Sequence, residues 1–148
     1  RSGNLPQKVD SQAATANLSF GQGELTATPV QICTMMAAVA NGGYYVEPYL
    51  VEGRVSADGV YIKEQGYSEK KRIVSSETVE QLQMFLAAVV EEGSGKRAKS
   101  DLVVCSGKTA TAQTGRFDSD GEIYNAWFPG YFPAESPEYA VVIFKEDG

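Results

Sequence analysis

The run Gly107-Lys108-Thr109-Ala110-Thr111-Ala112-Gln113-Thr114-Gly115 sets a lysine and three threonines between two glycines. Two chemistries fit it. As the end of a phosphate loop, Gly107-Lys108-Thr109 would lead into a helix whose first backbone N–H groups cradle phosphate. As a strand, it would show Thr109 and Thr111 on one face and Lys108 and Ala110 on the other. Two threonine hydroxyls about 7 Å apart on one face can grip a carboxylate, and a nearby lysine favours an anion. The loop needs glycine five positions before Gly107, where Leu102 stands. The threonine-rich residues that follow also suit a strand better than a helix. A second candidate, Gly93-Ser94-Gly95-Lys96-Arg97-Ala98, lacks the first glycine at Val90 and has Arg97 where Ser or Thr is required. The strand reading is preferred, and nucleotide binding remains the outlying alternative.

Other side chains narrow the chemistry. The sequence has no histidine, which removes Ser-His-Asp triads, Cys-His pairs and His-based zinc sites. Any general base must be Lys, Asp, Glu or Tyr. Cys33 and Cys105 form no CxxC pair and read as two buried free thiols. Glu91 and Glu92 diverge by about 100° on a helix, so they read as a solvated helix end. Phe117 to Glu122 reads as a turn between strands and lacks the ligand ladder of a calcium loop. Trp127, Phe128, Tyr131 and Phe132 read as core aromatics. A net charge of −6 argues against a nucleic-acid partner. No apolar run approaches the roughly 20 residues needed to cross a bilayer.

The elements that would hold the motif follow from patterning. Residues 1–27 read as an extended loop. Thr28-Pro29 opens a helix, with Val30, Cys33, Met36, Ala37 and Ala40 as its buried stripe and Asn41-Gly42-Gly43 as its end. Between Tyr44 and Gln65, two strands flank a turn at Ala57-Asp58-Gly59. A charged loop precedes a second helix capped by Ser75 or Ser76, with Val79, Leu82, Leu86, Val89 and Val90 facing inward and Gly93 closing it. Three β-rich stretches in the last third predict an antiparallel meander. The fold class expected is α+β, antiparallel strands packed on helices.

Serine-glycine-lysine-threonine at Ser106 to Thr109, with Ala110 and Thr111 after it, resembles the Lys-Thr-Gly motif of penicillin-binding proteins, the serine D,D-transpeptidases of bacterial cell-wall synthesis. The resemblance extends along the chain. SFGQGELTATPVQ (19–31) is similar to the family's loop into a core helix, and Asn41-Gly42-Gly43 follows. Val74 to Ala98 is similar to the helix and glycine-flanked turn before the motif, and Ala126 to Gly148 to the next two strands. It most resembles the C-terminal part of a class B transpeptidase domain, of the penicillin-binding and serine β-lactamase-like fold.

The resemblance implies roles. Lys108 would support the proton-transfer network, and the Thr111 backbone N–H would form half of an oxyanion hole. Lys108, Thr109, Ala110 and Thr111 would line the substrate site. Ala110 stands where the family has glycine, and its methyl is expected to crowd the helix layer behind the sheet. The partners implied are peptidoglycan stem peptides ending in D-Ala-D-Ala and β-lactams, with no metal or cofactor. The parent would be membrane-anchored and would work outside the cytoplasm. The nucleophile of S-x-x-K and the serine of S-x-N are expected upstream, making residues 1–148 one fragment of a transpeptidase domain, inactive alone. Ser68-Glu69-Lys70-Lys71 and Ser2-Gly3-Asn4 spell these motifs but are rejected: the first lies in a charged stretch with no apolar helix after it, the second in a Gly-x-Leu-Pro context. A non-catalytic β-lactam- or peptide-binding sensor is the alternative. Unpaired sheet edges would also allow self-association.

Overall fold

The computed structural model describes residues 2–63 and 71–147. A first helix, α1 (Gln12–Ser19), occupies ground expected to be loop. It buries no residue, so it has no apolar stripe for periodicity to detect. Its alanines and a Ser11 cap, whose Oγ accepts from Ala14 N at 3.0 Å, favour it locally.

Helix α2 (Pro29–Ala40) starts as expected. Thr28 Oγ1 accepts from Gln31 N at 3.2 Å, and Gln31 Oε1 accepts from Thr28 N at 2.9 Å. This reciprocal cap, with proline at the first turn, fixes the helix start. The buried face overlaps the expected one at Met36, but Ala38 and Val39 are buried with it while Val30 is 57% exposed. Apolar residues surround this helix, so spacing alone does not choose its face; the sheet against which it packs does. After Asn41, Gly42 and Gly43 both take positive φ, as the expected helix stop requires.

Strands β1 (Gly53–Val55) and β2 (Tyr61–Lys63) form the expected hairpin, with β1 shorter than the sequence suggested. Gly59, at φ 78°, donates its N–H to Ser56 O within the turn. Gln65 and Ser68-Glu69-Lys70 lie outside the described residues. Helix α3 (Ser76–Glu91) is capped by Ser75 and buries Val79 and Val90, whereas Leu82 is exposed. Gln83 Nε2 on α3 donates to Val39 O on α2 at 2.9 Å, satisfying a carbonyl that the helix end leaves unpaired.

The main sheet contains β3 (Ser106–Gly107), β4 (Ala110–Asp118), β5 (Gly121–Phe132) and β6 (Tyr139–Lys145). All pairings are antiparallel. β5 is central, with β3 and β4 along one edge and β6 along the other. The β4–β5 turn is held by Asp118 Oδ1, which accepts from Asp120 N at 2.8 Å and Gly121 N at 3.1 Å. This is the expected turn and the expected meander. Helix α2 packs on β5 and β6, and α3 packs on β3 and α2. Tyr131, 1% exposed, joins the residues from both helices in the core.

Candidate functional site

The motif lies where β3 gives way to β4, and the two behave as one strand. Ser106 pairs with Tyr131, Gly107 with Gly130, Ala110 with Trp127 and Thr111 with Ala126. The register therefore does not slip across Lys108 and Thr109. Lys108 N donates to Pro129 O at 3.0 Å and carries the ladder through the interval. Period-two alternation follows, placing Thr109 and Thr111 on one face and Lys108 and Ala110 on the other. Because Gly107 to Thr109 pass into a strand and not a helix, the phosphate-loop reading is overturned. The second candidate loop is a short 3-10 turn, Lys96–Ala98.

Antiparallel pairing also fixes where the backbone points. A residue in a hydrogen-bonded pair turns both its N–H and its C=O toward the same neighbour, and the next residue turns both away. Lys108 points toward β5, so the polar groups of Thr109 and Thr111 face the open edge. The Thr111 carbonyl accepts there from Gln22 Nε2 at 3.2 Å, as this pattern requires. The Thr111 N–H shares that edge.

The side chains are accessible. Lys108 is exposed, and its Nζ donates to Thr109 O at 2.6 Å. Thr111 is exposed and Thr109 half-buried. Thr109 Oγ1 lies 2.6 Å from Ser94 Oγ. Ser94 is held by the end of α3, where Gly93 N donates to Ala88 O at 3.0 Å and Gly95 N to Val89 O at 2.9 Å. A Cβ on Gly95 would come 3.0 Å from both Val89 O and Val89 Cγ1, so glycine allows this close return. Neither Ser94 nor Gln22 was singled out from the sequence. Both sit between glycines in segments that carried the resemblance, which was the available signal.

Ala110 corrects an expectation. It is exposed, and the packing of β4 is dominated by β5; the helices lie against β3, β5 and β6. Among the described residues its methyl therefore crowds no helix layer. The thiols are a second correction: Cys33 and Cys105 are half-buried, near Ala140 O at 3.5 Å and Ala98 O at 3.1 Å respectively. Asn4, the last residue of the rejected S-x-N spelling, is used structurally: it bridges to Thr26, with Asn4 N donating to Thr26 O at 2.8 Å.

The aromatics divide. Tyr131 is core, and burial pushes its phenol above the ordinary value of 10.0. Trp127 meets Phe144 with ring centroids 4.4 Å apart. A groove of about 710 Å³ is lined by Ser94, Thr109, Phe128, Tyr131, Val141 and Ile143, among others. It touches the motif at Ser106 and Thr109, with Phe128, Val141 and Ile143 as apolar walls; the open strand edge carries the polar groups. Among the described residues, no three His, Cys, Asp or Glu side chains converge as metal ligands would, and no helix is long and apolar enough to cross a membrane.

An exposed lysine, two hydroxyls on one strand face and outward amides are groups chemically able to hold an anion. The family model for the penicillin binding protein transpeptidase domain matches residues 1–148. Stage V sporulation protein D of Bacillus subtilis is 34% identical over 136 residues, covering 89% of this chain and 20% of that protein. Peptidoglycan D,D-transpeptidase PbpA of Mycolicibacterium smegmatis is 32% identical, covering 92% of this chain and 27% of the relative. The chain thus spans about a fifth to a quarter of these relatives' lengths. Among solved structures, a ceftriaxone acyl-enzyme complex of penicillin-binding protein A from M. tuberculosis superposes with a TM-score of 0.86 at 26% identity, covering 99% of this chain and 32% of that one. Penicillin-binding protein 3 from the same genus, complexed with aztreonam, gives 0.84 at 30% identity, covering 98% and 34%. Fold, motif edge and sequence agree: the chain belongs to the penicillin-binding protein transpeptidase domain family.

Proposed function

We propose that this chain supplies the substrate-binding strand of a peptidoglycan D,D-transpeptidase that works outside the cytoplasmic membrane through an acyl-serine intermediate. The observation that carries the reading is the unbroken register from Ser106 to Gln113, which presents Thr109 and Thr111 together and turns the Thr111 amide outward. In the reaction, a serine upstream of residue 1 attacks the penultimate D-Ala carbonyl of a stem peptide. The terminal D-Ala leaves, and the amine of a second peptide then releases the acyl group as a cross-link. Thr109 and Thr111 hold the terminal carboxylate, and Lys108 supplies positive charge and supports proton transfer at the upstream serines. The Thr111 N–H stabilises the tetrahedral oxyanion; one such donor is worth about 3 kcal/mol in the transition state. A β-lactam, with its carboxylate beside a reactive amide, would enter the same edge. Residues 1–148 form one part of the domain, and the nucleophile belongs to the remainder.

Intact mass spectrometry after exposure to penicillin G tests this. The full-length protein should gain one penicillin mass on a serine before residue 1, and the isolated 148-residue chain should gain none. An adduct on a serine of this chain, or an unmodified full-length protein, would refute the assignment.

A further inference from the structure

The contact between Ser94 and Thr109 does more than tie a helix end to a strand. A hydroxyl carries one hydrogen and two lone pairs. If Thr109 spends its hydrogen on Ser94, its lone pairs face an incoming carboxylate and repel it. If Ser94 donates, Thr109 keeps its hydrogen for the carboxylate, and the two bonds in series polarise one another. The 2.6 Å separation allows either direction, so an anionic ligand selects the second. We infer that Ser94 is a positioning residue that orients the Thr109 hydroxyl for anionic ligands, an inference resting on the carboxylate-binding role proposed for Thr109.

The geometry gives Ser94 little freedom to do otherwise. The turn Gly93-Ser94-Gly95 is pinned to the last turn of α3 by its two backbone hydrogen bonds, and α3 packs directly on β3. The helix end and the motif therefore move together, and Thr109 sits half-buried between them. Ser94 itself is exposed, so its removal should leave the fold intact.

The test uses the full-length protein and two ligands, penicillin G and its methyl ester, which lacks the negative charge. Ser94→Ala should slow acylation by penicillin G by about 3- to 10-fold, the scale of one net hydrogen bond. It should leave the ester rate unchanged, and Ser94→Thr should restore the wild-type rate. Combined with Thr109→Val, Ser94→Ala should add no further loss, because the hydroxyl it orients is gone. Equal slowing of both ligands, or losses that multiply, would overturn the inference. A readout independent of acylation is the χ1 rotamer of Thr109 from three-bond couplings to its methyl carbon. One rotamer in the wild type and averaging in Ser94→Ala is expected; an unchanged rotamer would overturn the inference. If the wild-type protein fails to acylate at all, the transpeptidase reading fails, while the rotamer measurement still decides the role of Ser94.

Discussion

Gly107 faces Gly130 across the sheet, and the two leave room for the Phe128 ring to lie against the motif strand. A Cβ on Gly107 would come 2.7 Å from Phe128 Cζ and 2.8 Å from Pro129 O. The ring can swing aside, but the carbonyl belongs to the ladder that receives Lys108 N.

Gly107→Ala should therefore destabilise the protein by about 1–3 kcal/mol, the usual cost of overpacking a tight site. It should also weaken the ladder on which the motif's alternation depends. Urea unfolding measures the first effect, and amide exchange at Lys108 the second. A change below about 0.5 kcal/mol, typical of an unconstrained surface position, would show that the strands separate without penalty.

The Tyr131 phenol gives a pH signature. Burial raises its pKa above 10.0, so the unfolded chain loses this proton at lower pH than the folded one. Its contribution to stability is complete below pH 10.0 and is lost as pH rises through the higher folded value. Thermal midpoints measured from pH 8 to pH 11 should fall more steeply in the wild type than in Tyr131→Phe above about pH 10. Parallel curves would mean that the phenol ionises alike in both states.

What the sequence revealed depended on how local each cause was. Caps and turns were legible because Thr28-Pro29, Ser75, Asn41-Gly42-Gly43 and Gly59 act through their own backbone. The alternation of Lys108, Thr109, Ala110 and Thr111 was legible because period two is intrinsic to a strand. The buried face of α2 was legible only at Met36: its apolar residues run nearly all round, and contact with β5 and β6 selects Ala38 and Val39 over Val30. Helix α1 was hidden because it buries nothing. Ser94 and Gln22 were missed because they reach the motif across 15 and 89 residues of chain. Hydrogen bonds of that separation leave no periodic trace. The surroundings of Ala110 were misjudged for the same reason, since which element covers β4 is set by tertiary packing.

Thr111 meeting a carboxylate at the open edge of β4 is central to the proposed function. The most direct measurement is the acylation rate of the full-length protein and its Thr111→Val variant, with penicillin G and with its methyl ester. Valine keeps the shape and the backbone N–H but deletes the hydroxyl. The rate with penicillin G should fall by about 10- to 100-fold, as expected for a hydrogen bond to a charged group, while the ester rate holds. Equal losses with both ligands, or no loss with either, would contradict the claim that this strand reads the carboxylate.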